Sequence, residues 1–492
     1  MCLMANLSPA RAGESLVEGL ELFSRGKVRD TYSLPNNNLL VRATNGISIF
    51  DFVLNALIPG KGMILNAMNH FWLTYLAQFG FKTHLVTAGS DIDNYLPDFQ
   101  RSNSFLQSTA IVVRKLSMVP VEFIARAVLT GSAVSCYQKN LEVCGHKLPP
   151  GLQDGDALPY ILDTPTTKAE VGHDENLLAE SVRRQYPGQT YTLLQVFQII
   201  SQHAERCGIK LADTKIEFGE DGTIGDEVGT PDSSRFWEYS TWLDGRKVKD
   251  GRKAPPPYDK QLVRAWGIEQ GINKLDPVNP DHVAKVHALK VPQDLIKRTT
   301  QVYRYIFWRL TGLTIDNYLR KKMGLDVPHR VKKITIICGS ESDLLLVPDV
   351  IRRHFASAYG KLTVHVMSCH RNPSEVQNFV KEGCGGADVV IGVGSKALAL
   401  PGVLDAWLYY YGKDIPVIGV ALGEQGSRAL EAAVLSIEEL PSSPVLINEL
   451  TGKCYQGQEG LWQAIDRVIN GELLPQKPRV EKPVQMEVFK NF

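Results

Sequence analysis

The sequence predicts two consecutive folds, an α+β domain followed by an α/β domain of three layers with a parallel sheet at its centre. Up to residue 320, β-rich pieces such as NNLLVRAT (37–44) mix irregularly with helical ones such as LIKRTTQVYRYIFWRLTGL (295–313), and this mixture is typical of α+β folds. From residue 334 onward, short runs rich in Val and Ile are separated by segments with helical periodicity, which indicates parallel strands with helices on both faces. The four runs are Ile334–Ile337, Leu362–Met367, Asp388–Val393 and Pro416–Ala421.

A basic stretch, LRKKMGLDVPHRVKK (319–333), separates the two folds. Gly324 and Pro328 interrupt it, as is typical of a boundary between domains. We therefore divide the 492 residues into a first domain at 15–320, a linker at 321–333, a second domain at 334–474 and a C-terminal tail at 475–492.

Composition and charge exclude several classes of protein. The 54 Lys and Arg residues nearly balance the 53 Asp and Glu residues, so the net charge of +1 offers no global field for a nucleic acid or an anionic membrane. The longest uncharged stretch, Gly62–Phe81, carries a polar residue at every fourth position, which indicates a helix packed on a core rather than a membrane span. Met1–Arg11 has no signal-peptide pattern, and the eight cysteines form no CxxC pair. We expect a cytoplasmic location.

The segment LADTKIEFGEDGTIGDEV (211–228) predicts a β-hairpin with one charged face. Alternation places Asp213, Lys215 and Glu217 on that face, and a two-residue turn at the tip would set Lys215 opposite Asp226. The spacing leaves two interpretations open. The side chains form either surface ion pairs, which contribute at most about 1 kcal/mol each, or a magnesium site in which Glu217 and Asp226 are ligands and Lys215 meets a nucleotide phosphate.

Seven motifs carry a family resemblance that favours the second interpretation. They are SRGKVRDTYSL (24–34), ISIFDFVLNALIPGKGMILNAMNHFW (47–72), PVEFIARAVLTGSA (120–133), TPTTKAEVGHDENL (164–177), ADTKIEFG (212–219), GDEVGTPDSSRFW (225–237) and YDKQLVRAW (258–266). In this order they resemble the phosphoribosylaminoimidazole-succinocarboxamide synthase (SAICAR synthetase) family over about residues 15–315, and the set is far more specific than any single motif. The resemblance implies an ATP-grasp-like ligase of purine biosynthesis, which joins the carboxylate of carboxyaminoimidazole ribonucleotide (CAIR) to L-aspartate and cleaves ATP to ADP and phosphate.

The chemistry of this reaction explains the residue types. A carboxylate is a poor acceptor for an amine, so ATP first converts it to an acyl phosphate. Cations must reduce the repulsion between the negatively charged carboxylate and the ATP phosphates. The resemblance implies that Lys27 and Lys215 approach the ATP phosphates and that Glu217 and Asp226 hold Mg2+. It also gives catalytic roles to Lys215 and Asp213.

Other residues of the matched motifs are expected to bind the ribonucleotide. Guanidinium groups suit a phosphate dianion because they offer paired donors. The resemblance assigns this role to Arg126, Ser132, Arg235, Asp259 and Lys260, and assigns a loop that closes over substrate to His173 and Asp174. Asn45-Gly46 stands where many members carry Asp-Arg, which alters the local contacts of that loop.

The second domain has polar segments directly after its first two strands. GSESD (339–343) follows the first strand, and the second leads to His370 and a helix for which Asn372, Pro373 and Glu375 fit the N-cap, N1 and N3 positions. Ligands of parallel sheets bind beyond the carboxyl ends of the strands. We therefore expect His370 at the ligand edge.

GSESD, SCHRNP (368–373), ALPG (399–402) and LSIEELP (435–441) resemble the aminoimidazole ribonucleotide (AIR) carboxylase and N5-CAIR mutase family. The resemblance implies a flavodoxin-like domain that makes CAIR either from AIR with CO2 or bicarbonate, or from the N-carboxy isomer. It implies that His370 transfers the proton as general acid and base, and that the ribonucleotide is bound by Ser340, Ser342, Asp343 and Arg371. By the same analogy this domain assembles the chain into a homo-octamer.

Three departures from the family pattern leave an alternative open. Lys396 replaces a glycine and Ala399 a histidine of the family's GGAAHLPG loop, and Ala432 stands where mutases often carry Asp. The alternative is a SAICAR synthetase whose C-terminal domain is catalytically degenerate and serves ribonucleotide binding or oligomerisation. A ligase with a different amine or acid partner is more remote, and the motifs do not locate the aspartate pocket.

Overall fold

The computed structural model describes residues 15–168, 175–245, 254, 255, 257–328, 331–345, 347, 360–441 and 444–474. The chain divides into two compact units, Met1–His329 and Arg330–Phe492. Within the described residues, every helix is too short or too polar to cross a membrane.

The first unit mixes strands and helices, as the sequence predicts. Its strands are β1 (Leu22–Arg25), β2 (Arg29–Leu34), β3 (Asn38–Ala43), β4 (Gly46–Ile49), β5 (Phe52–Leu57), β6 (Leu85–Ala88), β7 (Ala110–Arg114), β8 (Val121–Val128), β9 (Glu142–Val143), β10 (His146–Lys147), β11 (Ala157–Asp163), β12 (Thr166–Thr167), β13 (Ile209–Phe218), β14 (Ile224–Gly225) and β15 (Ser234–Glu238). Its helices are α1 (Lys61–Ala77), α2 (Ser104–Thr109), α3 (Ser132–Asn140), α4 (Ala179–Gln185), α5 (Pro187–Arg206), α6 (Tyr239–Gly245), α7 (Gln261–Glu269), α8 (Pro280–Ala288), α9 (Gln293–Thr311) and α10 (Ile315–Met323).

Two sheets organise this unit. One has the strand order β1-β2-β3-β7-β6, and the other has the order β11-β8-β13-β14, with β12 paired to β8 and β15 paired to β13. Strands β4 and β5 form a separate hairpin, whose tip residues Phe50 and Asp51 have φ of 49° and 65°. A large core joins both sheets to α1, α5 and α9, and it includes Trp72, Phe123 and Phe197.

Helix α1 fixes the loops around this core. Its second residue, Gly62, donates its backbone N–H to the Asn45 side chain over 3.1 Å, and a Cβ at Gly62 would lie 2.5 Å from the Ala43 carbonyl oxygen. Farther along, Asn69 accepts a hydrogen bond from Val228 N at 3.0 Å, and the Trp72 indole donates to Gly229 O at 2.9 Å. The helix therefore holds the loop that follows β14.

The second unit contains a five-stranded sheet whose adjacent strands are all parallel, as the four apolar runs predict. Its strand order is β17-β16-β18-β19-β20. The strands are β16 (Lys332–Cys338), β17 (Gly360–Val366), β18 (Val389–Gly394), β19 (Val417–Ala421) and β20 (Tyr455–Gln456), and the helices are α11 (Glu341–Leu344), α12 (Pro373–Lys381), α13 (Leu400–Tyr410), α14 (Arg428–Glu438) and α15 (Gly457–Asn470).

Helix α12 begins at the predicted residue but without the predicted cap. Asn372 is its N-cap residue and makes no side-chain capping bond; its amide oxygen accepts from Ser368 N at 3.3 Å instead. That bond closes the SCHRN turn, which also has Ser368 Oγ accepting from the backbone N–H groups of His370 and Arg371. The asparagine therefore shapes the turn that carries His370.

Candidate active site

The charged hairpin forms, but its register differs by one residue from the prediction. Glu217 pairs with Gly225 and Phe218 with Ile224, so Lys215 is not directly opposite Asp226. The cause is Gly222, whose φ of 78° adds a third residue to the loop, as glycines in left-handed conformation commonly do in hairpins. The strand pairing ends at Gly225, and Asp226 itself has φ of 51°.

Lys215 is the centre of a group of carboxylates that we call the Lys215 cluster: Lys215, Glu122, Glu217 and Asp226. The Lys215 ammonium lies 2.8 Å from Glu122 Oε1, 2.8 Å from Glu217 Oε1 and 3.6 Å from Asp226 Oδ2. Burial would lower the pKa of Lys215, but the three carboxylates raise it well above its ordinary value. The ammonium is therefore charged at neutral pH.

Arg29 and Lys168 complete the charges around this cluster, and sequence reasoning missed both. Arg29 lies 2.8 Å from Asp226 Oδ1 and also pairs with Glu227, while Lys168 pairs with the second oxygen of Glu217. Burial would raise the pKa of Asp226, but Arg29, Lys215 and Lys168 hold it well below its usual range. Arg29 could have been found from the sequence, because it belongs to the same GKVRD motif as Lys27.

Asp213 joins two of the predicted ribonucleotide-binding arginines in what we call the arginine fork: Arg126, Arg235 and Asp213. Both guanidinium groups donate to Asp213 Oδ2. Arg126 also donates to Thr164 Oγ1 at 2.9 Å and to Ser132 Oγ at 3.4 Å. Because Asp213 and Lys215 lie two residues apart on β13, the fork and the Lys215 cluster share one face of the sheet.

Lys27 contacts a different element from the one that carries Lys215. Its ammonium lies 2.5 Å from Asp51 Oδ1, at the tip of the β4–β5 hairpin, and its side chain is 53% exposed. The exposure leaves the ammonium accessible to a ligand. The predicted proximity of Lys27 to nucleotide phosphate stays a prediction.

Asp259 and Lys260 lie at the start of α7. Asp259 is 7% exposed, and its Oδ1 accepts a hydrogen bond from Gln261 N at 2.6 Å. Burial raises the pKa of Asp259 to about 6, against the lowering effect of Arg235, Lys260 and Arg264. The other two predicted residues of this half, His173 and Asp174, lie outside the described residues.

A buried triad beside the fork was not found from the sequence. Lys61 is fully buried, and its ammonium lies 2.6 Å from Asp232 Oδ2. Tyr303 donates its hydroxyl to Asp232 Oδ1 at 2.6 Å. The triad ties α1 and α9 to the loop that leads into β15, and thereby supports Arg235.

The polar residues of the second unit converge at the carboxyl ends of β16 and β18. Ser340 donates to Asp343 Oδ2 at 2.6 Å and lies 2.8 Å from Ser342 Oγ, while Ser395 donates to Asp343 Oδ1 at 3.3 Å. The turn that follows β17 also contacts this edge, because the Arg371 guanidinium donates to the Gly339 carbonyl oxygen at 2.7 Å.

His370 and two of the altered residues, Lys396 and Ala399, are exposed at this edge of the sheet. Lys396 has φ of 60°. A non-glycine residue in the left-handed region is costly, which fits the glycine that the family carries there. Ala432 lies in α14, where Ser436 donates to its carbonyl oxygen at 2.7 Å.

The Lys215 cluster contains two carboxylates, Glu217 and Asp226, of the residue types that can bind Mg2+. Among the described residues, no group of three or more His, Cys, Asp or Glu side chains forms a complete metal cage. Mg2+ is commonly bound by only one or two carboxylates together with substrate phosphates and water. Glu217 and Asp226 offer such a pair, since both point at Lys215.

The model of the SAICAR synthetase family matches residues 22–278, more than half of the chain. The chain belongs to this family. One SAICAR synthetase relative, from Maridesulfovibrio salexigens, is 36% identical over 312 residues, which cover 62% of this chain and 98% of that protein. Another, from Methylibium petroleiphilum, is 38% identical over 316 residues, which cover 61% of this chain and 97% of that protein.

Solved structures of the SAICAR synthetase family agree with this assignment. The SAICAR synthase from Saccharomyces cerevisiae, complexed with SAICAR, is 32% identical with a TM-score of 0.52, and the match covers 61% of this chain and 98% of that one. A second structure described as SAICAR synthase is 30% identical with a TM-score of 0.51 and covers 62% and 99%.

The second unit has a family match of its own. The AIR carboxylase model matches residues 333–452, which include the GSESD segment, His370 and Lys396. The two matches identify a bifunctional enzyme of purine biosynthesis with a ligase half and a carboxylase half. A degenerate second domain is not favoured, because the family match extends over the altered residues.

Proposed function

We propose that the first unit ligates CAIR to L-aspartate with cleavage of ATP, and that the second unit supplies CAIR from AIR. The observation that carries the proposal is the Lys215 cluster beside the arginine fork in a chain of the SAICAR synthetase family. We propose domains at 15–320 and 334–474, joined by residues 321–333, with a tail at 475–492.

Activation of the CAIR carboxylate requires that it approach a phosphate of ATP, and both groups are anions. Lys215 can stabilise the phosphoryl group during its transfer, because its ammonium is held by carboxylates on the same face as the fork. Glu217 and Asp226 would hold Mg2+, which supplies positive charge to the meeting phosphate and carboxylate oxygens. The product of the transfer is an acyl phosphate, which an amine attacks readily.

The arginine fork can bind the ribonucleotide phosphate. Asp213 holds both guanidinium groups, so their donors are oriented before the ligand arrives. Ser132 lies at the start of α3 and within 3.4 Å of Arg126, where its hydroxyl and the helix N-terminus both favour an anion.

Lys27 can reach ATP by exchanging its partner. Its exposed ion pair with Asp51 is of the kind that contributes at most about 1 kcal/mol, so a nucleotide phosphate competes with it easily. We also propose, from the family resemblance, that His173 and Asp174 contact the substrates.

For the second unit we propose a flavodoxin-like fold, and for the first an ATP-grasp-like one. The parallel sheet has the spatial order second-first-third-fourth-fifth, which is typical of flavodoxin-like domains with a ligand beyond the first and third strands. Ser340, Ser342, Asp343 and Arg371 would bind the ribonucleotide there, and His370 would transfer the proton. Either CO2 or the N-carboxy isomer serves as the carboxyl source in this proposal.

We further propose a homo-octamer formed through the second unit and a cytoplasmic location, both by analogy with the family. Light scattering of the purified chain measures the assembly, and a dimer or monomer would contradict it.

The proposal is tested by ADP formation from ATP in the presence of CAIR, with and without L-aspartate. We expect stoichiometric ADP and SAICAR when L-aspartate is present. ADP without SAICAR, or SAICAR without ADP, would contradict the ligase mechanism. A parallel assay with AIR, supplied with bicarbonate or as the N-carboxy isomer, tests the second unit through the appearance of CAIR.

A further inference from the structure

Two cysteines lie near the arginine fork, and neither belongs to the residues assigned to the ligase reaction. Cys136 is in α3, and Cys144 is in the turn between β9 and β10. Both thiols are free and partly exposed. Both also pack against the same small apolar core, which includes Leu129, Tyr137 and Leu162. We call Cys136 and Cys144 the cysteine pair.

One short segment, 176–179, contacts both members of the cysteine pair. The Asn176 amide donates to Cys136 Sγ at 3.2 Å, and Ala179 N donates to the Cys144 carbonyl oxygen at 2.9 Å. The Cys144 thiol donates to Pro165 O at 3.9 Å, and the same oxygen accepts from the backbone N–H of residue 177 at 2.9 Å. The two side chains therefore lie side by side along this segment.

The two sulfur atoms are also near each other and near the fork, as their electrostatic effects show. Burial raises the pKa of the Cys144 thiol to about 11, an effect that Arg126 opposes and Cys136 increases. Burial lowers the pKa of Arg126, whereas Asp213 and, more weakly, Cys144 and Cys136 raise it. The cysteine pair and the Arg126 guanidinium are therefore neighbours.

Cys144 occupies a turn position that hairpins usually give to another residue type. Val143 pairs with His146, so Cys144 and Gly145 form a two-residue turn, in which their φ angles are 51° and 90°. Asn or Asp followed by Gly is favoured in such turns, because both residues have positive φ. A cysteine in this conformation is strained, and strain of this kind is typical of residues with a function.

We propose that Cys136 and Cys144 form a disulfide when hydrogen peroxide oxidises the protein, and that this disulfide weakens the binding of CAIR to the arginine fork. The cysteine pair is then an oxidation site that regulates the ligase half. The first part of the proposal is independent of the proposed function, and the effect on CAIR rests on it. In reducing compartments such disulfides are usually transient and serve redox sensing.

The oxidation proceeds in two steps. The Cys136 thiolate attacks one oxygen of the peroxide, the O–O bond breaks, and the products are a sulfenic acid at Cys136 and water. The Cys144 sulfur then attacks the Cys136 sulfur. An S–S bond forms, the S–O bond breaks, and the hydroxide leaves as water with the Cys144 proton, so two thiols and one peroxide give one disulfide and two waters. The raised pKa of Cys144 leaves little of it as thiolate, so Cys136 reacts first.

Both cysteines lie on elements that hold Arg126. Helix α3 begins at Ser132, which accepts from the Arg126 guanidinium at 3.4 Å. Cys144 contacts Pro165, and the preceding residue, Thr164, accepts from Arg126 Nε at 2.9 Å. A disulfide brings its sulfur atoms to about 2.05 Å, so α3 and the β9–β10 turn must move towards each other. Because a displacement of about 1 Å at a binding group can cost about 100-fold, we expect the fork to bind CAIR less well.

The disulfide is detected by peptide mapping of the full chain after treatment with hydrogen peroxide. Trypsin cleaves after Lys139, which separates Cys136 in peptide 127–139 from Cys144 in peptide 140–147. Each of these peptides contains a single cysteine. We expect the two peptides to be joined in the oxidised protein and to separate again after reduction with dithiothreitol.

Steady-state kinetics measure the effect on the ligase. Oxidation of the wild type raises KM for CAIR by at least about tenfold, KM for ATP changes by less than about threefold, and dithiothreitol restores the original KM for CAIR. Peroxide leaves KM for CAIR unchanged in Cys136→Ser and in Cys144→Ser, and either variant alone is sufficient for this test. Cys207→Ser is the matched control, since Cys207 is also free and partly exposed, and it responds to peroxide as the wild type does.

Two outcomes overturn the proposal. Separate recovery of peptides 127–139 and 140–147 from the peroxide-treated wild type excludes the disulfide. Joined peptides together with an unchanged KM for CAIR exclude its effect on the fork. A failure of the proposed function is distinguished from both, because the wild type then forms no SAICAR before oxidation, whereas peptide mapping does not depend on activity.

Discussion

Replacement of Lys215 by Met removes the cation at the centre of the Lys215 cluster. The ammonium has two carboxylate oxygens at 2.8 Å and a third at 3.6 Å, so its loss leaves Glu122, Glu217 and Asp226 facing one another. Two charges about 4 Å apart repel by about 4 kcal/mol at an effective dielectric constant of about 20, and breaking a buried ion pair costs about 3–5 kcal/mol. Because the Lys215 side chain is 24% exposed, we expect the lower end, about 3 kcal/mol.

The assay is urea unfolding of Lys215→Met, followed by tryptophan fluorescence with and without Mg2+. We expect Mg2+ to recover more stability in the variant than in the wild type, because a divalent ion neutralises the same carboxylates. The rate of SAICAR formation falls by at least about 100-fold. Arg184→Met on α4 is the control, since Arg184 is 79% exposed and pairs with the exposed Glu180, so its loss costs at most about 1 kcal/mol. Equal stability of the two variants, with SAICAR formation near the wild-type rate, would refute the reasoning.

Three more predictions follow from other parts of the chain. Lys61→Met leaves Asp232 buried without its cation, so the free energy of unfolding falls by about 3–5 kcal/mol, as measured by urea denaturation. Burial lowers the pKa of His70 from 6.5 to about 4. As the pH drops from 6.5 towards 4, His70 is therefore protonated in the unfolded chain but not in the folded one, and the free energy of unfolding falls. His70→Gln makes the free energy of unfolding less dependent on pH in this range, as measured by thermal melts at a series of pH values. His370→Asn lowers CAIR formation from AIR by at least about 100-fold and leaves SAICAR formation from added CAIR unchanged.

Each of these predictions has its own contradiction. Wild-type stability of Lys61→Met would show that the buried ammonium is dispensable. If the free energy of unfolding of His70→Gln depends on pH as in the wild type, other groups cause the loss of stability in acid. CAIR formation from AIR by His370→Asn at the wild-type rate would show that His370 does not transfer the proton.

Local signals were sufficient for the strands and helices that carry the site. Alternation along β13 placed Asp213, Lys215 and Glu217 on one face, and the apolar runs after residue 333 predicted parallel strands. Both patterns depend on the period of two in a strand or on burial on both faces. The register of the hairpin was wrong by one residue, because the prediction did not allow for the left-handed conformation of Gly222.

Contacts between residues far apart in the chain could not be predicted from the sequence. Lys61 and Asp232 are 171 residues apart and Arg29 and Asp226 are 197 apart, and no local periodicity links such pairs. Lys61 lies between Gly60 and Gly62 in the sequence, and this context gave no sign that its ammonium is buried. The side chain of Asn372 likewise fitted a cap from its position alone, although its partner in the structure is Ser368 N.

Transfer of oxygen from CAIR to phosphate tests the central claim most directly. CAIR labelled with 18O in both carboxylate oxygens is incubated with ATP, L-aspartate and the enzyme, and the phosphate and SAICAR are analysed by mass spectrometry. If ATP activates the carboxylate as an acyl phosphate, each phosphate released carries one labelled oxygen and each SAICAR amide keeps the other. Unlabelled phosphate in the presence of newly formed SAICAR would contradict this account.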